Sequence, residues 1–224
     1  EVLADCTDDL NRAATGFDSG LEDTKLALTA ISDDGFVVET KSAYAPEMLT
    51  AFIKLNGATV GVVANRTKVY DDNMEVVAEY EPKLTANGCD KAAQFVYFCD
   101  DFSIPVLTLT NATGFKACKC QEKRGAKATA RLTYAFASAT VPKVNVIIGE
   151  AFGSAYVTMN SKSIGADMVF ALPTAKVGMM DANAAAKIMY AKEIEEDASV
   201  LAEKTAEYAQ LQGSVTKAAS RGYV

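Results

Sequence analysis

The sequence predicts an α/β domain with a largely parallel sheet. Apolar runs of strand length, rich in β-branched residues, alternate with helical segments of about ten or more residues. Half of the 224 residues are hydrophobic, which is enough for one large core. No apolar run approaches the roughly 20 residues that a membrane-spanning helix needs, and no secretory leader is recognisable. We therefore expect a cytoplasmic protein without a membrane span.

The polar, aspartate-rich residues 1–20 show little periodicity and are expected to be a poorly ordered, disordered lead-in. The domain itself is expected to cover residues 21–224. Because the chain does not begin with Met, we also expect it to be a fragment of a longer chain. Leu21, Leu28 and Ile31 lie at helical spacing and predict a helix over residues 21–31.

A strand and a hairpin are predicted next. Residues 36–38 begin a strand after the turn sequence Asp33-Asp34-Gly35. Residues 50–55 and 59–64 are apolar strands, and Asn56-Gly57 between them is a strong hairpin sequence. The hairpin should therefore be tight.

The following segment, residues 71–87, is charged and without period, so we expect an irregular excursion. Asp90 is a candidate N-cap for the next helix. The apolar residues of that helix share one face, namely Ala92, Phe95, Val96, Cys99 and Phe102. The pattern predicts a helix that packs on the sheet.

The rest of the chain continues the alternation. Strands are predicted at residues 105–109, 144–148 and 168–171, with an alanine-rich helix at residues 122–140. A long final helix is predicted over residues 182–219, and Gly213 is a point where it can break.

The segment most informative about function is VPKVNVIIGEAFGSAY, residues 141–156. A buried strand runs into small residues, among them Gly153, Ser154 and Ala155, that can open a helix. The free N–H groups and the dipole of a first helical turn favour negative charge. Such a turn can hold an oxyanion or an enolate. The alternative is a tight turn whose small residues only permit close packing.

Composition excludes several classes of function. The net charge of −7 and the pI near 4.8 argue against a nucleic-acid partner, which requires a basic face. Histidine is absent, which removes Ser-His and Cys-His nucleophiles and imidazole-ligated metals. Five cysteines without a C-x-x-C pair suggest no disulfide framework, and Cys118 and Cys120 lack the second ligand pair of a metal site.

Several short segments occur together in the order typical of one family. They are Asp33–Phe36, Leu55–Gly57, Val60–Asn65, Asp90–Ala93, Phe98–Asp100, Ile104-Pro105, Gly114-Phe115, Gln121-Glu122, Ala139–Lys143 and Gly153–Tyr156. The pattern resembles the carboxyl-terminal domain of the carboxyltransferase (beta) subunit of biotin-dependent acyl-CoA carboxylases and decarboxylases, over residues 33–224. The resemblance implies a crotonase-like (ClpP/crotonase) fold of ββα units.

The resemblance also implies an activity. In this family carboxylate moves between carboxybiotin, held by a biotin carboxyl carrier protein or subunit, and an acyl-CoA substrate. Carbon dioxide leaves carboxybiotin, the ureido anion takes the α-proton, and the thioester enolate attacks the carbon dioxide. Two backbone oxyanion holes, one per domain, hold the anions, which suits a chain without histidine.

The family implies partners as well. Its active site forms between the first domain of one subunit and the second domain of another. We therefore expect a missing N-terminal carboxyltransferase domain and a homo-oligomer, a dimer or a ring of dimers. This chain alone, with one of the two oxyanion holes, is expected to be inactive.

The resemblance carries over to particular residues. The backbone N–H groups of Ser154 and Ala155 match the second-domain oxyanion hole. The expected substrate or biotin pocket comprises Gly153, Tyr156, Val157, Gly114 and Phe115. No metal is expected.

The chain departs from the family pattern at several positions. Ser154 replaces a glycine, and Val157 replaces an acid, which favours an apolar group in the pocket unless Val157 only packs in the core. The basic pair before the motif is Gly149-Glu150 here, and the loops at residues 113–118 and 180–185 lose prolines or glycines. Phe115 either covers the biotin or acyl group or belongs to the core.

Two other interpretations remain open. Ser154 beside a lysine would make a Ser-Lys peptidase of crotonase-like fold. Alternatively, the domain is a non-catalytic assembly or biotin-carrier-binding subunit. A further feature is a run of basic residues, which comprises Lys116, Lys119, Lys123, Arg124, Lys127 and Arg131. This run either binds phosphates or an acidic partner, or it forms a solvated helix face. The sequence leaves open which acyl-CoA is used and in which direction.

Overall fold

The computed structural model describes residues 9, 11–71 and 73–224, and this part of the chain is organised by a seven-stranded sheet. In chain order, the strands are β1 Val37–Thr40, β2 Met48–Leu55, β3 Ala58–Asn65, β4 Lys68–Tyr70, β5 Val76–Glu79, β6 Lys83–Leu84, β7 Val106–Ala112, β8 Gly114–Phe115, β9 Lys143–Phe152, β10 Met168–Ala171 and β11 Lys176–Gly178.

Helices flank the sheet on both faces. In chain order, they are α1 Thr24–Ile31, α2 Ala86–Asp101, α3 Lys119–Ser138, α4 Gly153–Thr158, α5 Ala182–Met189, α6 Ala191–Glu196, α7 Val200–Gln212 and α8 Val215–Ser220. Among the residues described, no helix combines the length and the apolar character needed to cross a membrane.

The strand order of the main sheet is β1-β2-β3-β7-β9-β10, and β11 also pairs with β9. The first three strands are antiparallel, whereas β7, β9, β10 and β11 join in parallel. The prediction of an α/β domain with largely parallel pairing is therefore confirmed. The predicted strand at residues 144–148 lies within β9, between β7 on one side and β10 and β11 on the other.

The predicted hairpin between β2 and β3 is present. Asn56 and Gly57 have φ values of 51° and 79°, as a tight turn of this kind requires. The buried Asp33 carboxylate accepts hydrogen bonds from the Asn56 N–H at 3.1 Å and the Gly57 N–H at 2.7 Å. Asp33 therefore ties the segment after α1 to the hairpin.

Two apolar layers cover opposite faces of the sheet. Along β3, Val63 packs with the α2 and α3 layer, whereas Val62 and Ala64 pack with Leu28 of α1. This alternation follows from the period of two in a strand. Burying each large aliphatic side chain contributes roughly 1.5–3 kcal/mol to folding. The strands that carry the candidate site are thus enclosed on both faces.

Helix α2 begins earlier than predicted, and the assignment of Asp90 as its N-cap is wrong. Thr85 is the N-cap, and its hydroxyl accepts a hydrogen bond from the Gly88 N–H. Asp90 lies inside the helix and pairs with Arg124 at 2.9 Å and with Arg131 at 2.5 Å, both on α3. Its carboxylate therefore joins two helices instead of capping one.

The apolar face of α2 is confirmed except at its last position. Phe102 is the C-cap and is 65% exposed, whereas Cys99, one turn earlier, is buried. Helix α2 ends at Asp101 and Phe102 has non-helical dihedral angles, so the helical spacing no longer applies to Phe102.

The predicted irregular excursion contains short strands. β4 pairs with β5 in antiparallel fashion, and β6 pairs with β8 in parallel. Three of the four residues of β5 are apolar but most are exposed, so apolar and polar residues do not alternate along this strand. The pairing of β6 with β8 could not be predicted from neighbouring residues, because the whole of α2 and β7 lies between these two strands in the sequence.

The prediction of a single final helix is wrong, because four helices, α5, α6, α7 and α8, occupy this part of the chain. Asp181 caps α5 by accepting from the N–H groups of Asn183 and Ala184. The break at Gly213 is confirmed, since this residue ends α7. Folding α7 back onto α5 covers side chains that one straight helix would leave in water.

The predicted lead-in is described only in part, because residues 1–8 and 10 lie outside the described residues. Asp18–Gly20 form a short 3-10 helix. The Arg12 guanidinium donates to the carbonyl oxygens of Ala30 at 2.7 Å and Ser32 at 3.0 Å. This part of the lead-in therefore contacts the end of α1. The boundary at residue 21 stays a prediction.

A candidate anion site at the turn from β9 to α4

Strand β9 passes directly into helix α4. Gly153, the first helical residue, has a φ of +56°, and a β-carbon there would lie 2.9 Å from the Met179 carbonyl oxygen. Glycine suits this position on both grounds. The N-cap Phe152 supplies no side-chain hydrogen bond, so no side chain caps the first-turn N–H groups of α4. The predicted helix start at residues 153–155 is confirmed.

Burial differs sharply along this turn. Ser154 is exposed, whereas Ala155 and Tyr156 are buried. Burial raises the pKa of Tyr156, and the neighbouring Tyr223 phenol adds to the rise. Tyr156 is therefore neutral at physiological pH. The turn is anchored in the core at Ala155 and reaches the surface at Ser154.

A buried polar network holds α4 in place. The Thr110 hydroxyl donates to Asn145 Oδ1 at 2.7 Å, and Asn145 Nδ2 donates to the Met159 carbonyl at 3.1 Å. The Thr158 hydroxyl donates to the Ser154 carbonyl at 2.9 Å. Because such satisfied networks are rigid, the backbone of the turn is preorganised.

Gly149, which stands where the resembling family has a basic residue, has a packing role. A β-carbon at Gly149 would lie 2.7 Å from the Asn111 side-chain oxygen. That oxygen accepts the Glu150 N–H at 3.1 Å, and Asn111 donates its own N–H to Asn65 at 2.9 Å. The pairing of β7 with β9 shifts register here, so Gly149 makes room for the side chain that bridges the irregularity.

Two cavities meet at Ser154. The first, which we name the Phe115 cavity, has a volume of about 460 Å³ and includes Phe115, Ser154 and, from α3, Gly125, Ala126 and Thr129 in its wall. Phe115 is 40% exposed, so it lines a cavity and is not a core residue. Gly114 is not among the lining residues of this cavity.

The second, which we name the Tyr156 cavity, has a volume of about 600 Å³. Its wall includes Gly153, Ser154, Tyr156 and Val157. Four of the five predicted pocket residues therefore divide between the two cavities, whereas Gly114 lines neither of them. Ser154 lines both.

Other lining residues were not identified from the sequence. Met179, Tyr208 and Tyr223 line the Tyr156 cavity, and they come from segments far from residue 154 in the sequence. The small residues of α3 line the Phe115 cavity, and the alanine-rich composition of that helix was the available signal. For the two tyrosines, the sequence pattern offered no local signal.

The basic run has a mixed role. Arg124 and Arg131 hold Asp90, so they are part of the contact between α2 and α3. Lys116 lines the Phe115 cavity. Both arginines are also exposed, so they pair with Asp90 from a solvated helix face.

The peptidase interpretation lacks its second residue. Within the described part of the chain, no lysine Nζ lies at hydrogen-bond distance from the Ser154 hydroxyl. A Ser-Lys nucleophile needs that contact. The geometry at Ser154 instead presents backbone donors beside two cavities.

The chain is similar in sequence to known proteins. A family model described as "Carboxyl transferase domain" matches residues 20–224. The methylmalonyl-CoA carboxyltransferase 12S subunit of Propionibacterium freudenreichii subsp. shermanii is 36% identical over 206 residues, 90% of this chain and 37% of that protein. A protein of Bacillus subtilis described as a putative propionyl-CoA carboxylase beta chain is 38% identical over 219 residues, 96% of this chain and 41% of that protein.

A solved structure agrees in fold. The transcarboxylase 12S crystal structure, described as a hexamer assembly with hydrolysed methylmalonyl-coenzyme A bound, matches with a TM-score of 0.86 and 33% identity. The match covers 99% of this chain and 43% of that chain. The expected crotonase-like fold is thereby confirmed. The chain spans about two fifths of the length of these relatives.

Proposed function

This chain belongs to the carboxyl transferase domain family, and on that premise we propose that it supplies one half of a carboxyltransferase active site. The reaction moves a carboxyl group between biotin on a carrier protein and an acyl-CoA. The observation that carries the proposal is the Gly153 turn, which presents uncapped backbone N–H groups between two cavities.

The proposed role of the turn is to stabilise negative charge. The N–H groups of Ser154 and Ala155 are the donors, and their positions depend on Gly153 and on the buried network under α4. Removal of one preorganised donor of this kind typically lowers kcat by about 10²–10³-fold. The serine side chain plays no part in this role, which distinguishes it from a nucleophile.

The Phe115 cavity suits the ring of biotin. Its walls are apolar at Leu84, Phe115 and Ala126, while Ser154 lies at its edge. These features fit a small, flat group with an apolar edge and a polar ureido end. When bound, biotin would supply the ureido nitrogen that carries the carboxyl group. Phe115 would cover the ring, and the Ser154 turn would hold the ureido oxygen.

The Tyr156 cavity suits the acyl group. Val157 contributes no charge to its wall, Tyr208 and Tyr223 add aromatic surface, and Arg221 is the one charged residue among the described residues that line it. We infer an apolar acyl group at this position. Because the relatives are named for methylmalonyl-CoA and propionyl-CoA, these are the acyl-CoA compounds to test first.

The remaining half of the site is proposed to come from a further carboxyltransferase domain. The related 12S structure is described as a hexamer assembly, which supports a ring of dimers over a single dimer for this protein. A second oxyanion hole from the partner domain would then face the Ser154 turn. This placement would enclose the reacting groups and exclude water from them.

The test is a comparison of substitutions at Ser154 in the complete subunit, assayed with a biotin carrier protein and propionyl-CoA. Ser154→Gly and Ser154→Ala keep the backbone donor, so carboxyl transfer should be retained. Ser154→Pro removes the donor and should lower the rate by at least about 10²-fold. Circular dichroism and gel filtration establish that each variant is folded.

The same variants separate the alternatives. A peptidase would lose hydrolysis in Ser154→Gly and Ser154→Ala, because both delete its hydroxyl. An assembly subunit would bind the carrier without transfer in every variant. If folded Ser154→Gly lost transfer as completely as Ser154→Pro, the proposed role of the backbone would be wrong.

A further inference from the structure

Two thiols stand side by side at the start of α3. The Sγ atoms of Cys118 and Cys120 are 2.7 Å apart, and both cysteines are free. Cys120 is exposed and Cys118 is half-buried, whereas Cys89 and Cys99 are fully buried. The paired thiols are therefore open to solvent reagents, and the buried thiols are not.

The surroundings activate one of the two sulfurs. Cys118 is the N-cap of α3, a helix of 20 residues. The Cys120 thiol lowers the pKa of Cys118, and the Gln121 and Cys120 N–H groups and the Lys116 ammonium add to this effect. The pKa of Cys120 is raised by the same contact. Cys118 is thus the more acidic thiol of the pair, and the thiolate is the reactive form of cysteine.

The buried thiols behave in the opposite way. Burial raises the pKa of Cys89 to about 12 and that of Cys99 to about 12. Both therefore remain protonated at physiological pH. They provide an internal comparison for the reactivity of Cys118.

We propose that Cys118 and Cys120 form a reversible dithiol–disulfide modification site that reacts with hydroperoxides. The inference rests on the adjacent, accessible sulfurs and does not depend on the proposed carboxyl transfer. A disulfide bond of about 2.05 Å requires only a small further approach of the two sulfurs. In the part of the chain described, no cluster of three or more Cys, Asp or Glu side chains is arranged to hold a metal ion.

The reaction has two steps. The Cys118 thiolate attacks one oxygen of hydrogen peroxide, which breaks the O–O bond, forms a sulfenic acid and releases hydroxide. The Cys120 sulfur then attacks the Cys118 sulfur, which forms the S–S bond and releases the hydroxyl group as water. In total, two thiols lose two electrons and two protons, and one peroxide becomes two water molecules. A small thiol reverses the oxidation by thiol–disulfide exchange.

The site adjoins the Phe115 cavity. Cys118 and Cys120 line a neighbouring cavity of about 270 Å³, which shares Lys116 and Gln121 with the Phe115 cavity. The Gln121 side chain also accepts the Ala86 N–H at 2.5 Å, which links the start of α3 to the start of α2. Oxidation therefore changes the covalent structure of a wall next to the candidate site.

The test uses the full chain, treated with hydrogen peroxide, blocked with iodoacetamide and digested with trypsin. Trypsin cleaves after Lys116, Lys119 and Lys123, so the expected product is the peptide 117–119 joined to the peptide 120–123 by a disulfide. Dithiothreitol should separate the two peptides. Before oxidation, iodoacetamide at pH 7 should alkylate Cys118 at least about tenfold faster than Cys89 or Cys99.

Single variants identify the order of events. In Cys120→Ser, the sulfenic acid on Cys118 should persist and be trapped by dimedone. In Cys118→Ser, neither the disulfide nor the fast alkylation should appear. Recovery of Cys118 only as sulfinic or sulfonic acid, or of disulfides only between different chains on a non-reducing gel, would overturn the proposal.

Discussion

Arg66 and Asp23 form an ion pair inside the domain, with 3.1 Å between Arg66 Nε and Asp23 Oδ1 and both side chains 4% exposed. Arg66 Nη2 lies 3.2 Å from Glu39 Oε2, which is also buried. The Nε–H and Nη2–H groups of Arg66 do not point at these carboxylate oxygens well enough to form hydrogen bonds. Charge attraction is therefore the main interaction. Asp23 in addition caps α1 and accepts the Tyr70 N–H. One guanidinium thus pairs with two buried carboxylates.

We predict that Arg66→Met lowers the free energy of unfolding by about 3–5 kcal/mol, because it leaves buried carboxylates without their cation. Urea denaturation measures the change. Lys25→Met is the matched control, since Lys25 is half exposed and lies 3.9 Å from the same Glu39. It should lower the free energy of unfolding by less than about 1 kcal/mol. Equal effects of the two substitutions would contradict this account.

Gly153→Ala is expected to destabilise the turn between β9 and α4 by about 1–3 kcal/mol, since the backbone has positive φ and the new methyl group would meet the Met179 carbonyl. Thermal denaturation of the two proteins gives the difference. Gly114→Ala is the control, because a β-carbon there meets nothing within 4 Å. Its effect should stay within about 0.5 kcal/mol. A stable Gly153→Ala protein would show that the turn can relax.

Lys91 should make stability rise with pH above 8. Its side chain is 1% exposed, and burial lowers its pKa from 10.5 to about 8, while Glu39 opposes the shift. Between these two values the unfolded chain holds a proton that the folded chain has released. The free energy of unfolding therefore increases with pH between pH 8 and pH 10.5. Below pH 8, where the buried Lys91 is charged, the full destabilisation by this charge applies.

Lys91→Met should remove this dependence. Relative to the variant, the unsubstituted protein should gain about 1–3 kcal/mol in free energy of unfolding from pH 7 to pH 10. Urea denaturation at both pH values measures it, with Lys123→Met on the exposed side of α3 as the control. A constant difference between the Lys91→Met protein and the unsubstituted protein would mean that Lys91 does not titrate in this range.

Self-association is predicted through the segment of residues 179–189. Met179, Ile188 and Met189 are 76%, 69% and 61% exposed, and large apolar side chains in water commonly mark an interface. Ile188→Glu should weaken association at least about tenfold in sedimentation equilibrium. Phe102→Glu, at an exposed phenylalanine on α2, is the control and should have no effect. A monomer at every concentration of the unsubstituted chain would refute the prediction.

Part of the candidate site was predictable because it is local. The β-branched run at residues 144–148 and the small residues at 153–155 specify a strand followed by a helix through properties of neighbouring residues. The Asn56-Gly57 turn was predictable for the same reason, because its positive φ values suit these two residue types. The errors at Asp90 and in the final helix arose where contacts with distant residues outweighed local preference.

The sequence by itself determined the strand-to-helix turn, the apolar faces of the helices and the lack of histidine in these 224 residues, since residue type and spacing along the chain decide these properties. Only the tertiary structure decided that Ser154 lines two cavities, that four of the five predicted pocket residues divide between them, and that the Met179 carbonyl lies against Gly153. These features join segments far apart in the chain. Their positions follow from packing of whole helices and strands, which no local pattern encodes.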